Sequence, residues 1–437
     1  MKIAFVDVKP KLAGWSFGWL KRLSLIGQLY LGTILRERGH KVDILKESLI
    51  EIKLSDFEDY DFICFSAMSS QVPRVKKWTN LIKTYYPDKK IILGGIHATF
   101  RPQDFPEADH IVLGEGESVI ADLIEGKIKK RIIKSSPIEN LNTLPFPDYS
   151  LFKGVKNIKI YPASSSRGCP FHCNFCSVTE MFGKKYRFRE VDNVIKELEL
   201  MKKPKRVIFY DDNFCSNKQR TKDLLKKMID KGLTPSWWGE ARLDIAKDEK
   251  LLKLISESNN LEMAIGFEST NPKVLEHFNK GQKYEDIIYC IKKMKDFGIK
   301  IKGFFIGGSD YDQKGVFTEI EKFIDKYELD TATLACLTPY PGSSMFKEFE
   351  KDKRIFVKDW GIFDAQHVVF KPKNMTAYEL QLDQVENLKK YYKKRFWSNV
   401  QFALNDPFGI YNNYKEFKKW HKQTDDYLDF LKKLEAK

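Results

Sequence analysis

The stretch Cys169-Pro-Phe-His-Cys173-Asn-Phe-Cys176 places three cysteines at the spacing CxxxCxxC. It comes just after a predicted strand, Ile158–Ser164, which begins a series of alternating strand and helix patterns. A loop with this spacing can wrap so that three thiolates converge on one iron–sulfur cluster, for which thiolates are the natural ligands. Three cysteines leave one iron of a 4Fe-4S cluster without a protein ligand, so a small molecule can coordinate there.

A zinc site with His172 as the fourth ligand is the competing interpretation of the same loop. His172 directly precedes Cys173, unlike the separated ligand pairs of structural zinc sites, so the pattern favours the cluster. The chain has seven cysteines in all. This odd number argues against a disulfide framework and for a metal or redox site in a reducing compartment.

Six strands, each followed by a loop and a helical pattern, are predicted in this half of the chain. They are residues 158–164, 206–210, 236–241, 263–267, 302–306 and 331–337. Six units are too few for a closed eight-stranded barrel but fit an open, partial one. After residue 345 the strand signal is lost, and two long Lys/Glu/Tyr/Leu patterns predict a helical extension over 346–437.

The amino-terminal part alternates in the same way. Strands are predicted over 2–8, 41–45, 62–66, 90–93 and 111–113, with helices over 25–38 and 72–85. This order predicts a doubly wound parallel sheet, so the fold class is α/β. Ligands of such sheets lie beyond the carboxyl ends of the strands, so the loops 66–71, 94–99 and 114–117 should face one site. We place this domain at 1–130, a linker at 131–157 and the barrel at 158–345.

The cysteine loop and its position resemble the radical S-adenosylmethionine (SAM) enzymes. Similar motifs follow the later barrel strands, at residues 209–214 (FYDDNF), 239–244 (GEARLD), 266–269 (GFES), 279–282 (NKGQ), 307–308 (GG) and 337–342 (LTPYPG). The resemblance implies that the open iron binds the amine and carboxylate of SAM. One electron from the cluster then releases a 5′-deoxyadenosyl radical, which removes a hydrogen atom from the substrate. It also implies that Glu268 and Ser269 lie near the ribose and Arg242 or Glu240 near the methionine portion; a structural ion pair inside the barrel is the alternative for each charged residue.

Glycine-rich strand ends in the first domain resemble the Rossmann-like cobalamin-binding domain fused to one large radical SAM subclass. These are Gly94-Gly95-Ile96-His97 and Gly114-Glu115-Gly116-Glu117. The resemblance implies a cobalamin site formed by Ser69, Gly94, Gly95, His97, Gly114 and Gly116. The string DxHxxG is missing from the sequence, so we expect no axial histidine from this domain. A domain that has kept the fold and lost the cofactor is the alternative.

Three residues at or just after the ends of barrel strands are further catalytic candidates. Cys215 and Cys336 could point toward substrate, and Tyr340 could be a radical partner or hydrogen-bond donor. Packing in the core is the competing interpretation of all three. The segment Trp15–Trp19 is interpreted either as a lid over the site or as a hydrophobic patch against the barrel.

Charge and hydropathy limit the partners. The net charge of +15, from 75 Lys+Arg and 60 Asp+Glu, is spread over the chain beside glutamates, which indicates solvated helix faces more than a nucleic-acid-binding stripe. The one basic and aromatic concentration, residues 389–397, has a helical spacing that favours packing against the body of the protein. No apolar run reaches the ~18 residues of a membrane span, and the amino terminus lacks the pattern of a signal peptide. We expect a cytoplasmic protein.

The resemblance implies a cobalamin-dependent enzyme that methylates an unactivated carbon, with a 4Fe-4S cluster, SAM and cobalamin as cofactors. An electron donor such as ferredoxin or flavodoxin would reduce the cluster, and the substrate would be a small molecule, a lipid or a protein side chain. Ring formation, carbon–carbon coupling or oxidation without methyl transfer is the alternative. A tRNA methylthiotransferase needs a second cysteine trio, whereas the first domain has only Cys64. A cobalamin sensor with a silent barrel is disfavoured by the intact cysteine loop.

Overall fold

The computed structural model describes residues 1–10, 26–154, 160–201, 204–403 and 407–436, with side chains outside 395–418. The strands are β1 (Lys2–Asp7), β2 (Lys41–Lys46), β3 (Phe62–Ser66), β4 (Lys90–Gly94), β5 (His110–Leu113), β6 (Ile132–Lys134), β7 (Ile160–Ala163), β8 (Ser166–Arg167), β9 (Arg187–Phe188), β10 (Arg206–Phe209), β11 (Ser236–Ala241), β12 (Asn260–Glu268), β13 (Ile301–Gly307) and β14 (Thr331–Cys336). The α-helices are α1 (Ile26–Glu37), α2 (Val72–Tyr85), α3 (Gly95–Phe100), α4 (Ile120–Ile124), α5 (Val178–Phe182), α6 (Val191–Leu200), α7 (Lys218–Asp230), α8 (Glu249–Glu257), α9 (Pro272–His277), α10 (Tyr284–Asp296), α11 (Val316–Lys326), α12 (Ser344–Lys351), α13 (Ala377–Ala403) and α14 (Pro407–Glu435). The segment Trp15–Trp19 lies outside the described residues.

The amino-terminal sheet is parallel throughout, in the order β2-β1-β3-β4-β5-β6. The predicted doubly wound sheet is therefore confirmed. One strand, β6, lies in the segment that we expected to be a linker. Only its central residue, Ile133, is buried, so three residues among charged neighbours gave too short a pattern to predict a strand.

The second large sheet is also parallel, in the order β14-β13-β12-β11-β10-β7. Among the described residues β7 and β14 do not pair with each other, which makes this an open, partial barrel as predicted. Its outer face packs on the helices in one large core. Its inner face contains a smaller cluster of Ile208, Trp238 and Ala264.

The helical extension closes one edge of the barrel. Gln384 on α13 donates a hydrogen bond to the carbonyl of Leu334, at 2.9 Å, and the amide of Ala332 donates to the Tyr391 hydroxyl at 2.7 Å. Both bonds reach β14, so α13 covers an edge strand whose polar backbone would otherwise be open. Tyr391 and Tyr392 are buried, which confirms the packing interpretation for these residues of the basic and aromatic stretch. No helix in the described ranges is long and apolar enough to cross a membrane.

The carboxyl ends of the strands in one sheet face the carboxyl ends of the strands in the other. Gly342, after β14, approaches Phe100, after β4, so closely that a Cβ at Gly342 would lie 2.4 Å from the ring. Arg167, after β7, forms an ion pair with Glu115, after β5. The strand ends at which both classes of fold place their ligands therefore lie on opposite sides of one interdomain space.

Candidate functional site

The cysteine loop is held between two very short strands, β8 and β9, which pair antiparallel. Gly168 begins the loop with φ +89, and a Cβ there would lie 2.3 Å from the carbonyl oxygen of Lys185. Only glycine fits both the left-handed backbone and this close approach. The Cys169 amide then donates to the carbonyl of Gly183 at 3.2 Å. The loop thus has a fixed entry immediately before its first thiol.

The three thiols are free and half-buried. The described residues contain no group of three His, Cys, Asp or Glu side chains close enough to hold a single metal ion, so they offer no zinc site. A 4Fe-4S cluster makes a different demand, because each thiolate binds a different iron and the sulfurs need not meet at one point. Three unpaired thiols on one accessible loop fit that donor set.

Charged side chains from the following strands meet beside Cys173. The Arg242 guanidinium lies 3.7 Å from the centre of the Phe171 ring and donates to the Lys280 carbonyl at 2.6 Å. The Lys280 ammonium forms a buried ion pair with Glu268, at 2.6 Å. Burial raises the pKa of the Cys173 thiol, and the positive charges of Lys280 and Arg242 oppose that rise.

This cluster brings together two of the predicted SAM residues, Arg242 and Glu268. It adds Lys280, which stands in the quoted NKGQ motif but which sequence reasoning did not single out. Glu268 takes φ +65, an unfavourable backbone for a side-chain-bearing residue, and such strain is common at functional sites. Ser269 is buried, and its hydroxyl accepts a hydrogen bond from the amide of Asn271 at 3.0 Å. A ligand with an amine and a carboxylate would find both charge signs here.

Glu240 lies in a different environment from Arg242. Burial raises the pKa of Glu240 to about 7, helped by the carboxylates of Asp212 and Glu268. Burial and the neighbouring Asp211 raise the pKa of Asp212 to about 7 as well. These carboxyl groups are therefore partly protonated near neutral pH, which suits hydrogen bonding to a polar ligand at the barrel mouth.

Two of the three further catalytic candidates do not face this space. Cys215 and Cys336 are 2% and 1% exposed and belong to the core between the barrel and its helices. Side chains alternate along a strand, and Ala332 and Leu334 of β14 belong to the same outer core as Cys336. In this structure both thiols therefore pack in the outer core, away from the cysteine loop. Tyr340 packs on the cluster of Ile362, Phe363 and Val369, as its packing interpretation predicted.

In the amino-terminal domain, the residues predicted to contact cobalamin gather at the ends of β3, β4 and β5. Gly95 takes φ +88, and a Cβ there would lie 2.7 Å from the Ser66 hydroxyl oxygen. The predicted loop 94–99 is in fact mostly the short helix α3. A Cβ on Gly94 would meet nothing nearer than the Val112 carbonyl oxygen at 3.9 Å, so the backbone there is open to a flat, bulky ligand.

His97 is buried and already bonded at both ring nitrogens. Its Nδ1 lies 2.9 Å from the Ser69 hydroxyl and its Nε2 lies 3.0 Å from Asp104. Burial lowers the pKa of His97, while Asp104 acts to raise it. In this structure both ring nitrogens of His97 are therefore bonded within the protein. Its Nδ1 contact holds the Ser69 hydroxyl in place.

Gly114 and Gly116 lie in the adjoining loop after β5. The Gly114 amide donates to the Thr99 hydroxyl at 3.0 Å, and that hydroxyl donates to the Gly95 carbonyl at 2.9 Å. The two glycine loops are therefore connected. The open backbone at Gly94 and the 43% exposed side chain of Met68 leave room for a large ligand at this face, so the residues fit cobalamin.

Comparison with known families identifies both halves. Residues 163–316 match the radical SAM superfamily, and residues 22–124 match the B12 binding domain. Three relatives are each 28% identical to this chain: an uncharacterized methyltransferase of Pyrococcus horikoshii, covering 88% of this chain and 90% of the relative; bacteriochlorophyllide d C-12(1)-methyltransferase of Chlorobaculum tepidum, covering 84% and 82%; and anaerobic magnesium-protoporphyrin IX monomethyl ester cyclase of Rubrivivax gelatinosus, covering 83% and 70%.

Among solved structures, the cobalamin-dependent S-adenosylmethionine radical enzyme OxsB, with aqua-cobalamin and S-adenosylmethionine bound, has the same fold. The TM-score is 0.68 at 14% identity, over 98% of this chain and 71% of OxsB. The agreement extends over both sheets and the helical extension. This chain thus carries a region that matches the radical SAM superfamily, and before it a region that matches the B12 binding domain.

Proposed function

We propose that this chain is a cobalamin-dependent radical SAM methyltransferase that acts on an unactivated carbon. The observation that carries the proposal is the opposition of the two ligand faces. The cysteine loop and the glycine loops lie at strand ends that face each other across one interdomain space. A substrate held there would be in reach of both cofactors at once.

The chain's own residues bind and orient the cofactors and enclose the substrate. Cys169, Cys173 and Cys176 would hold the cluster, Arg242 and Lys280 would bind the charged methionine end of SAM, and Glu268, paired with Lys280, would lie toward its ribose. When bound, the cluster and SAM supply radical chemistry and cobalamin supplies methyl transfer. Tyr210, directly after β10, is 37% exposed; partial burial of its hydroxyl raises its pKa, and the Asp7 carboxylate of the opposite domain adds to that rise. Tyr210 therefore lies at the boundary where substrate would meet both domains.

Two co-products test the proposal. Methyl transfer to an unactivated carbon consumes SAM in two ways, so anaerobic turnover should release S-adenosylhomocysteine beside 5′-deoxyadenosine. Chlorobaculum bacteriochlorophyllides and, separately, magnesium-protoporphyrin monomethyl ester are suitable probes, because relatives named for methylation and cyclisation of such tetrapyrroles are equally similar to this chain. Deoxyadenosine and modified substrate without S-adenosylhomocysteine would overturn methyl transfer in favour of the ring-forming alternative.

The proposal includes a reductant. A one-electron donor such as ferredoxin or flavodoxin reduces the cluster, and the net charge of +15 favours an acidic donor by electrostatic steering. The rate of reduction by an acidic flavodoxin should therefore fall as salt increases. A rate independent of ionic strength would contradict electrostatic steering.

A further inference from the structure

Two arginines at the stems of the cysteine loop form ion pairs with the loop 114–117 of the cobalamin-binding domain. Arg167 on β8 donates to Glu115 and to Glu117, each at 2.7 Å. Arg187 on β9 donates a hydrogen bond to each carboxylate oxygen of Glu115, one of them at 3.2 Å. All four side chains are at most 10% exposed. This is a compact, buried network of two positive and two negative groups.

The stems need such an external attachment. The strands β8 and β9 have two residues each, and Arg167 and Arg187 are themselves one of their two pairs. A ladder this short has little stability of its own. Arg187 also donates to the carbonyl of Phe182 inside the loop, at 2.9 Å, and to that of Ile138 at 2.6 Å. Glu115 therefore holds both ends of the cysteine loop through two arginines.

The loop that carries Glu115 and Glu117 is also bonded to the cobalamin face, through Gly114. Gly114 is bonded to Thr99, and Thr99 to the Gly95 carbonyl. Two hydrogen bonds thus link Gly95 to Thr99 and Thr99 to Gly114, the chain continues directly to Glu115, and an ion pair links Glu115 to Arg187. The glycines of the loop face one cofactor, and its glutamates hold the loop that carries the other.

We propose that Glu115 is a positioning residue that sets the cysteine loop relative to the cobalamin face. The inference rests on the two cofactor sites of the proposed function but not on methyl transfer. Removing the Glu115 charge leaves Arg167 and Arg187 side by side in a buried place with one remaining carboxylate, Glu117. The two guanidinium groups then repel each other, and the stems of the loop separate.

Hydrogen–deuterium exchange of the protein without cofactors tests this directly. In Glu115→Gln, amides of residues 166–188 should exchange about tenfold faster, while those of β11 to β13 keep wild-type rates. Glu139→Gln is the matched control, because Glu139 is exposed and lies in the same part of the domain. Unchanged exchange over 166–188, or an equal increase throughout the chain, would overturn the proposal. Should Glu115→Gln not fold, Glu117→Gln keeps the Arg187 pair and should give a smaller, two- to threefold increase confined to the same residues.

Two measurements with cofactors complete the test. With the cluster assembled, a chelator should bleach its absorbance about tenfold faster in Glu115→Gln than in Glu139→Gln. Hydroxocobalamin should slow exchange over 166–188 in the wild type and have no such effect in Glu115→Gln, since the connection is broken. An equal effect in both proteins would refute the connection. If neither protein binds cobalamin, the cofactor assignment fails, and the cofactor-free exchange still decides the role of Glu115.

Discussion

The chemistry of individual residues in this chain depends on which charges lie beside them. Arg242 and Glu240 stand two positions apart on and just after one strand, and sequence reasoning offered either for the methionine end of SAM. The structure gives them different contacts beside the same Glu268–Lys280 pair: Arg242 lies against Phe171 of the cysteine loop, and Glu240 lies near the carboxylates of Asp212 and Glu268. Lys280 joins the site through its ion pair with Glu268, a contact that no local pattern encodes.

The ligand thiols should be separable from the core thiols by substitution. Cys173→Ala should abolish cluster assembly and SAM cleavage, because the remaining two thiols cannot hold three irons. Cys215→Ala should keep the cluster and lower the free energy of unfolding by ~1 kcal/mol, as a small buried side chain is lost. Iron content, absorbance and deoxyadenosine formation measure the difference. A full iron content in Cys173→Ala would refute the ligand assignment.

Glu240 should make stability depend on pH. Its pKa is raised from 4.5 to about 7 in the folded protein, so the folded state holds this proton more tightly than the unfolded state. Stability from this group is therefore complete below pH ~4.5 and is lost as the pH rises to about 7. Glu240→Gln should raise the free energy of unfolding of the cofactor-free protein at pH 8 by ~1–2 kcal/mol and change it little at pH ~4.5.

Denaturant unfolding at the two pH values measures this effect. The exposed Glu257 provides the control, since Glu257→Gln should give equal stability differences at both. A Glu240→Gln protein that is less stable than the wild type at pH 8 would show that the carboxylate is favourably paired instead.

At the scale of elements, long and regular patterns were predictable and short ones were not. The parallel strands of both sheets follow from apolar runs separated by amphipathic helices. The sequence did not predict the strand β6 or the two short strands β8 and β9. Two or three residues carry no periodicity, and their structure depends on a partner strand. The helix α3 was not predicted because Gly94-Gly95 indicates a turn, whereas Gly95 here starts a helix with a positive φ.

The entry of the cysteine loop should tolerate only glycine. In Gly168→Ala the new methyl group would lie 2.3 Å from a backbone carbonyl at φ +89, so the loop must move and cluster content should fall several-fold. Gly183→Ala is a matched control, because Gly183 has the same φ of +89 but nothing within 4 Å of a Cβ. The free energy of unfolding of Gly183→Ala should fall only by the ~1–2 kcal/mol that a left-handed backbone costs a residue with a side chain, and this variant should retain its iron. Equal iron content in the two variants would contradict the steric argument.

At the scale of the whole molecule, the proposed function depends on the interface between the two domains. Cobalamin-binding and cluster-binding faces serve one reaction only if they are held opposite each other. Three sets of contacts hold the two faces opposite each other. They are the buried ion pairs at Glu115, the contact of Gly342 with Phe100, and the ion pair of Arg101 with Glu350 at 3.2 Å.

The Gly342 contact gives a prediction at this scale. Gly342→Ala should lower the free energy of unfolding by ~2 kcal/mol or more, because a methyl group cannot fit 2.4 Å from the Phe100 ring at φ +95. In the double variant with Phe100→Ala, the part of the stability loss caused by the steric clash should disappear, and the part caused by backbone strain should remain. A double-mutant cycle by denaturant unfolding measures the coupling, and additive effects would refute a direct contact.

The sequence by itself determined the cysteine loop, the two parallel sheets and the helical extension, because each is written in neighbouring residues or in a local periodicity. Only the tertiary structure decided that Cys215 and Cys336 face the outer core, that Lys280 joins Arg242 and Glu268, and that Glu115 holds Arg167 and Arg187. These outcomes depend on contacts between residues 12 to 72 positions apart. Such contacts follow from how the strands are ordered and how the two domains meet, which no short stretch of sequence specifies.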